Sequence, residues 1–310
     1  MLVYGNRRIP ENGDCGHMTS SYTIKSLLLA GIVALNVLLA SFESADAGII
    51  DLLAESDVDT VGGSEIFHRS YNSLNDFTNG VIGPGGWSQI NVGAGFSVVG
   101  MTWIGEHLYL LAESDTDAGS GAELFLRAYN SLSDFYTNTT GPGGWSQVDV
   151  GAGFSVVGMT WDGLDLYLIA ESDIDSVGGS EVFLRSYDTV ADFVDGIVGP
   201  GDWSQVDVGT GFSIAGMTWD SLDLLLLAES DTDAGAGSEL FWRSYDTFAD
   251  LLANNTGPGA WSQVDVGIGF SVHGMATRFE QVPEPTVLMF FALGLAGLGF
   301  ANSRRARKKT

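Results

Sequence analysis

The chain has 310 residues, 39 Asp and Glu against 13 Lys and Arg, a formal charge of −26 and a single cysteine. Between Gly48 and Pro283 there are 34 acidic residues, five Arg and no Lys. That surface repels nucleic acid and anionic membranes, and the lone Cys15, far upstream, excludes a disulfide framework or a thiolate metal site in the body.

In chain order, Met1 to His17 carries no pattern, and either Met1 or Met18 could serve as the start. Ser26 to Ala40 is an apolar run of signal-peptide length, followed by the small-residue site Ala45-Asp46-Ala47. The run is short for a membrane span. Residues 1–47 therefore read as a signal region with one apolar helix, cut by signal peptidase after Ala47, leaving Gly48 as the mature N-terminus.

Residues 48–281 are filled by four repeats with a step of 58 residues. Gly100, Gly158 and Gly216 each open a G-M-T-W segment followed by a strand-like run and A-E-S-D, and Trp87, Trp145, Trp203 and Trp261 each open W-S-Q. A fixed period of this kind marks a solenoid, a propeller or an array. In the second repeat, Phe96 to Trp103 is a first strand, Ile104 to His107 a turn and Leu108 to Ala112 a second strand. Glu123 to Tyr129 is a third strand, Ser131 to Phe135 one helical turn with a serine cap, and Trp145 to Val150 a fourth strand.

Four strands per repeat, arranged radially, predict an all-β, four-bladed β-propeller. The recurring Gly100, Gly158, Gly216 and Gly274 suit an innermost strand crowded at the axis. The body begins on the second half of a repeat hairpin (Ile50) and ends on the first half (Met275), so the two ends complete each other if the array closes. A linear row of four small sheets is the rival architecture.

Three sets of repeated residues could carry chemistry. The acidic segments offer Asp57, Asp59 and Glu65; Asp115, Asp117 and Glu123; Asp173, Asp175 and Glu181; and Asp231, Asp233 and Glu239. Carboxylates on a glycine-rich turn are what Ca²⁺ uses, but the spacing is not that of an EF-hand, and solvated hairpin loops are the plainer reading. Arg69, Arg127, Arg185 and Arg243 are expected to pair with Glu55, Glu113, Glu171 and Glu229 or with the loop aspartates. The repeated tryptophans are expected to pack between blades, with sugar stacking as the alternative. His68, His107 and His273 do not repeat, and no hydrolase, phosphate-loop or His-x-Glu motif is present.

Pro283-Glu284-Pro285, the apolar run from Thr286 to Ala301 and the basic cluster Arg304, Arg305, Arg307, Lys308 and Lys309 follow in that order. Residues 282–310 thus resemble the PEP-CTERM sorting signal, an apolar helix with a basic tail. The resemblance implies an exosortase acting at Pro283-Glu284-Pro285, with the precursor tethered in the inner membrane and the body outside it, consistent with the positive-inside rule. The expectation is an exported, non-enzymatic surface or matrix protein associated with extracellular polysaccharide. A Ca²⁺-dependent lectin and, behind it, a polysaccharide-active enzyme are the rivals.

Overall fold

The computed structural model describes residues 48–56, 66–81, 86–93, 95–114, 124–139, 144–172, 181–197, 202–230, 240–254, 260–267 and 269–279. The signal region, the C-terminal sorting segment and their two expected helices lie outside these residues. So do the acidic loops except Glu181.

The described residues form four antiparallel four-stranded sheets. Blade 1 contains β1 (Ile49–Ser56), β2 (Ile66–Tyr71) and β3 (Ser88–Ile90), and its innermost strand is β16 (Phe270–Arg278). Blade 2 is β4 (Phe96–Ile104), β5 (His107–Ser114), β6 (Leu124–Tyr129) and β7 (Ser146–Val148). Blade 3 is β8 (Phe154–Trp161), β9 (Leu166–Ser172), β10 (Val182–Tyr187) and β11 (Ser204–Val206). Blade 4 is β12 (Phe212–Trp219), β13 (Leu224–Ser230), β14 (Leu240–Tyr245) and β15 (Ser262–Val264). The innermost strands pack cyclically, β4 on β8, β8 on β12, β12 on β16 and β16 on β4. The architecture is the expected four-bladed propeller, not a row.

Closure comes from the two ends of the body. β1 pairs antiparallel with β16, setting Ile50 opposite Thr277 and Leu52 opposite Met275. The axis is built from glycines. A Cβ on Gly100 would lie 3.2 Å from the Cα of Gly158, one on Gly158 3.2 Å from that of Gly216, and one on Gly274 3.4 Å from that of Gly100. The neighbours are backbone, so no rotamer change relieves the contact. Each innermost strand also bulges just before its glycine, as the register breaks between Val98 and Gly100, Val156 and Gly158, and Ile214 and Gly216 show. Bulges of this kind sharpen strand twist.

Between blades lie four apolar cores. One joins Leu111, Leu126 and Val148 of blade 2 to Met159, Leu168 and Tyr187 of blade 3, and the other three are built on the same plan. Short helices seal the outside: α1 (Leu74–Thr78), α2 (Leu132–Tyr136), α3 (Val190–Val194) and α4 (Phe248–Leu252). Ser73, Ser131, Thr189 and Thr247 cap them, each side chain accepting from the backbone N–H three residues on. Each helix buries one apolar residue, and Phe77, Phe135 and Phe193 meet Tyr71, Tyr129 and Tyr187 edge-on.

The repeated arginines do something other than the expected pairing with the strand glutamates. Arg69, Arg127 and Arg185 donate to the carbonyls of Val266, Val92 and Val150 at 2.8, 2.9 and 3.0 Å. Each of these buried valines lies in the linker that brings the chain in from the preceding blade. Trp87, Trp203 and Trp261 donate to the same kind of carbonyl, on Val266, Val150 and Val208. All four guanidinium groups lie over their blade's Trp, 4.3 to 4.7 Å from the ring centroid. The Trp in turn stacks on the first Phe of its blade's innermost strand. An arginine against an indole face and a peptide oxygen satisfies its charge by cation–π attraction and hydrogen bonding. Among the described residues Arg185 alone adds a carboxylate, Asp202 at 2.7 Å, at a position where the other blades have Gly86, Gly144 and Ala260. The glutamates serve the bulges instead: Glu171 and Glu229 accept from the N–H of Ile214 and Val272 in the next blade.

The fourth strand is shorter than the sequence reading of Trp145–Val150. It stops at Val148 because Asp149 turns back to accept from the Gly151 N–H and the Val150 carbonyl is taken by Arg185.

The axial crowding yields a prediction. Gly158→Ala adds a Cβ 3.1 to 3.2 Å from Ile169, Gly216 and Met217, so thermal unfolding should show a loss of about 1–3 kcal/mol. An unchanged melting temperature would mean that the axis has slack.

Candidate functional site

Two places on the described residues depart from plain packing. The first is the axial mouth at the C-terminal ends of the innermost strands. Here Thr102, Thr160, Thr218 and Thr277 are buried, and the hydroxyls of Thr160, Thr218 and Thr277 stitch neighbouring blades. The Trp219 backbone N–H donates to the Thr160 hydroxyl at 2.9 Å and the Thr277 backbone N–H to that of Thr218 at 2.7 Å. Above this ring opens a cavity of about 340 Å³ walled by Trp103, Trp161, Trp219, Asp162 and Phe279. Fourfold symmetry fails in one sector, where the repeat position of the tryptophans is held by Thr277.

The rim is set by β-hairpin turns. Asp162 accepts from the N–H groups of Leu164 and Asp165, and Asp220 from those of Leu222 and Asp223. These turns leave Leu164 and Leu222 projecting, 78% and 72% exposed. Burial and then the neighbouring Asp162 and Asp188 push the Asp165 carboxyl above the ordinary carboxylate value, and burial with Asp220 and Asp246 does the same at Asp223. Burial together with Asp162 and Asp165 raises the Tyr167 phenol strongly. Behind the rim, Phe248 stacks on Tyr167 and Trp219.

The second place is a polar cluster in the core between blades 1 and 2. Asp51 is 1% exposed. It accepts from the Ser70 hydroxyl and, at 2.9 Å, from the Trp103 indole N–H. His68 Nε2 lies 3.3 Å from Asp51 and Arg278 Nε 3.5 Å, both close contacts that are off line for a hydrogen bond. The other ring nitrogen of His68 meets the Tyr136 hydroxyl at 2.7 Å. The matching positions in the other repeats are Tyr109, Tyr167 and Leu225 for Asp51, and Leu126, Leu184 and Trp242 for His68. Aligning repeats by register exposes this exception; scanning for motif spacing does not.

Trp103 joins the two places, lining the mouth with its ring while its N–H is held by Asp51. His107 opens β5 at the surface and His273 sits at the opposite end of the axis, 3.9 Å from Glu55. The three histidines are therefore not gathered. Glu181 precedes β10, and its backbone carbonyl accepts from the Ser172 N–H. The remaining Ca²⁺ candidates lie outside the described residues, and among the described residues no group of three His, Cys, Asp or Glu is placed to hold a metal.

Burial by itself would raise the Asp51 carboxyl. His68, Arg278 and Ser70 outweigh it and hold the group below its ordinary value of 3.8. A carboxylate depressed in this way stabilises the fold above its unfolded pKa, and that contribution is lost as pH falls through the lower, folded value. Asp51→Leu alone strips the acceptor from Ser70 and Trp103 and removes the carboxylate beside His68 and Arg278, and should cost about 2–4 kcal/mol. The double variant Asp51→Leu/His68→Leu puts leucines where the other interfaces have Tyr109 and Leu126, Tyr167 and Leu184, and Leu225 and Trp242, and should return to within about 1 kcal/mol of the parent. It should also lack the Asp51 share of acid destabilisation below about pH 4. Denaturant unfolding at pH 7 and pH 3.5 reads both effects; a double variant as unstable as the single would contradict the assignment.

No helix among the described residues is long and apolar enough to cross a membrane. No curated protein matches the chain. Residues 281–305 match the PEP-CTERM protein-sorting motif, which begins two residues after the last wall residue of the mouth, Phe279. That motif marks an exported, membrane-anchored precursor processed by an exosortase and sorted to the cell surface, and the cargo it carries is a four-bladed β-propeller.

Proposed function

We propose that the protein is a non-enzymatic surface component that holds a segment of extracellular polysaccharide in the axial mouth of the propeller. The carrying observation is the mouth itself. Three indoles and Phe279 wall one concave space, with a threonine floor and a carboxylate at its edge. A concave, largely apolar cavity with a few fixed polar groups is the ordinary form of a small-ligand site. Indole faces suit the C–H faces of sugar rings, while Asp162 and backbone groups suit hydroxyls.

Two features favour binding over turnover. The Asp162 and Asp220 carboxylates are engaged in holding their turns. Asp51 and His68, the buried acid–base pair, face blade 2 rather than the cavity and are tied to Trp103 and Tyr136. The acidic exterior keeps the body soluble outside the cell and away from anionic lipid.

Calorimetry of the processed protein against a panel of neutral and cationic polysaccharides, with and without Ca²⁺, tests this reading. Binding should occur without added Ca²⁺ and should weaken about tenfold, or ~1.4 kcal/mol, in Phe279→Ala. Phe279 is 41% exposed, so its truncation should leave the melting temperature unchanged. No heat from any glycan, or equal affinity in the variant, would refute the assignment. Strict Ca²⁺ dependence would favour the lectin reading of the acidic loops, and release of shortened glycan would favour an enzyme.

A further inference from the structure

Each of the five arginines of the body lies over an indole. Four of these pairs lie beside the linkers between blades, and the fifth is at the mouth. There the Arg278 guanidinium lies 5.4 Å from the ring centroid of Trp103, and its Nε is 3.5 Å from the buried Asp51. A cation thus sits against an indole face with a carboxylate beside it, where the ring quadrupole attracts positive charge.

Arg278 belongs to blade 1 and Trp103 to blade 2. In the other repeats the Arg278 position is held by Ile104, Asp162 and Asp220. Ile104 packs with Trp161 on an apolar core. The same rotation sets Asp162 of blade 3 toward Trp219 of blade 4, and both line the mouth together with Trp161 and Phe279. In this sector the indole and the carboxylate are both present, and the chain supplies an aspartate where blade 1 supplies the cation.

The charge around the opening has the matching sign. Asp165 and Asp223 close the turns that Asp162 and Asp220 begin, Glu106 follows the lining Gly105, and Arg278 is already held by Asp51. Burial and then neighbouring carboxylates push Asp165 and Asp223 above the ordinary value, a crowding that an incoming cation relieves. An anionic group would enter against this field, and a neutral one gains little from it.

We infer that the mouth takes a substituted ammonium group, seated against Trp161, Trp219 and Phe279 beside Asp162, and that the polysaccharide it holds is one that carries amines. The inference rests on the mouth being the binding site, and it names the chemical class that the site selects.

The test uses two small molecules of one shape on the processed protein: choline, and its uncharged tert-butyl analogue in which carbon replaces the quaternary nitrogen. Ligand-observed NMR titration at physiological ionic strength should give choline an affinity about tenfold higher than the analogue. Asp162→Asn keeps an oxygen for the turn N–H groups of Leu164 and Asp165 and should remove most of that preference. Asp149→Asn deletes the same charge from an exposed turn after an outer strand and should leave the preference intact. Equal affinities for the two molecules, or equal losses in the two variants, would overturn the inference, because diffuse surface charge would then explain any binding. The first comparison needs no variant. A glycan arm separates this result from the reading beneath it: a glucosamine hexamer with its amines protonated should bind about tenfold more tightly than the N-acetylglucosamine hexamer. Equal binding of the two hexamers would sink the ammonium inference and leave the polysaccharide reading standing. Choline binding with neither hexamer bound would do the reverse.

Discussion

The structure depends on one hydrogen-bonded ladder, β1 against β16. Each blade is a four-stranded antiparallel sheet whose faces are apolar on both sides, and no blade can cover both faces alone. In a row, the two outer blades would each leave one face in water. Joining the first strand of the body to the last removes both open faces at once, and every inter-blade core is then enclosed. The cost of closure is crowding at the axis, because four innermost strands converge there. Glycine at positions 100, 158, 216 and 274 answers it: backbone meets backbone at distances that leave no room for a Cβ.

The arginine–tryptophan pair is the second recurring device, and it works on connectivity. A propeller blade joins the next through a linker that runs from an outermost strand to an innermost one, and that linker carries peptide groups into a buried place. An unpaired buried carbonyl is costly. The guanidinium and indole donors of the receiving blade meet it, and the indole stacks on the phenylalanine that opens the same blade's inner strand. One cluster therefore fixes where the incoming chain lies and at what angle its strand begins. The short helices outside each blade act in the same register, pressing one apolar side chain against a buried tyrosine or its surroundings.

Much of this was legible in the sequence, because a repeat of fixed length states its own architecture. The strand count, the capped helical turn at Ser131, the axial glycines and the end-to-end closure all follow from period and phase. The pairing of the arginines with the strand glutamates was misread because the linear sequence shows carboxylates nearby and cannot show a carbonyl arriving from the preceding blade. The Asp51–His68 cluster was missed for a related reason. Each residue is ordinary alone, and only the pairing of Asp51 with Ser70 and of Leu53 with His68 across β1 and β2 puts both on the face toward Trp103. That cluster lies beside the closing ladder, in the only blade assembled from both chain ends. The mouth was equally hidden, since M-T-W reads as core until the hairpin turns set its tryptophans around one opening.

Hydrogen–deuterium exchange of the processed protein tests closure most directly. If the ring is sealed by its own termini, amides of 49–56 and 270–278 should be protected to the same degree as those of β5 and β8 and should open together with them. Rapid exchange confined to those two terminal strands, with the central blades protected, would show an open array and contradict the account.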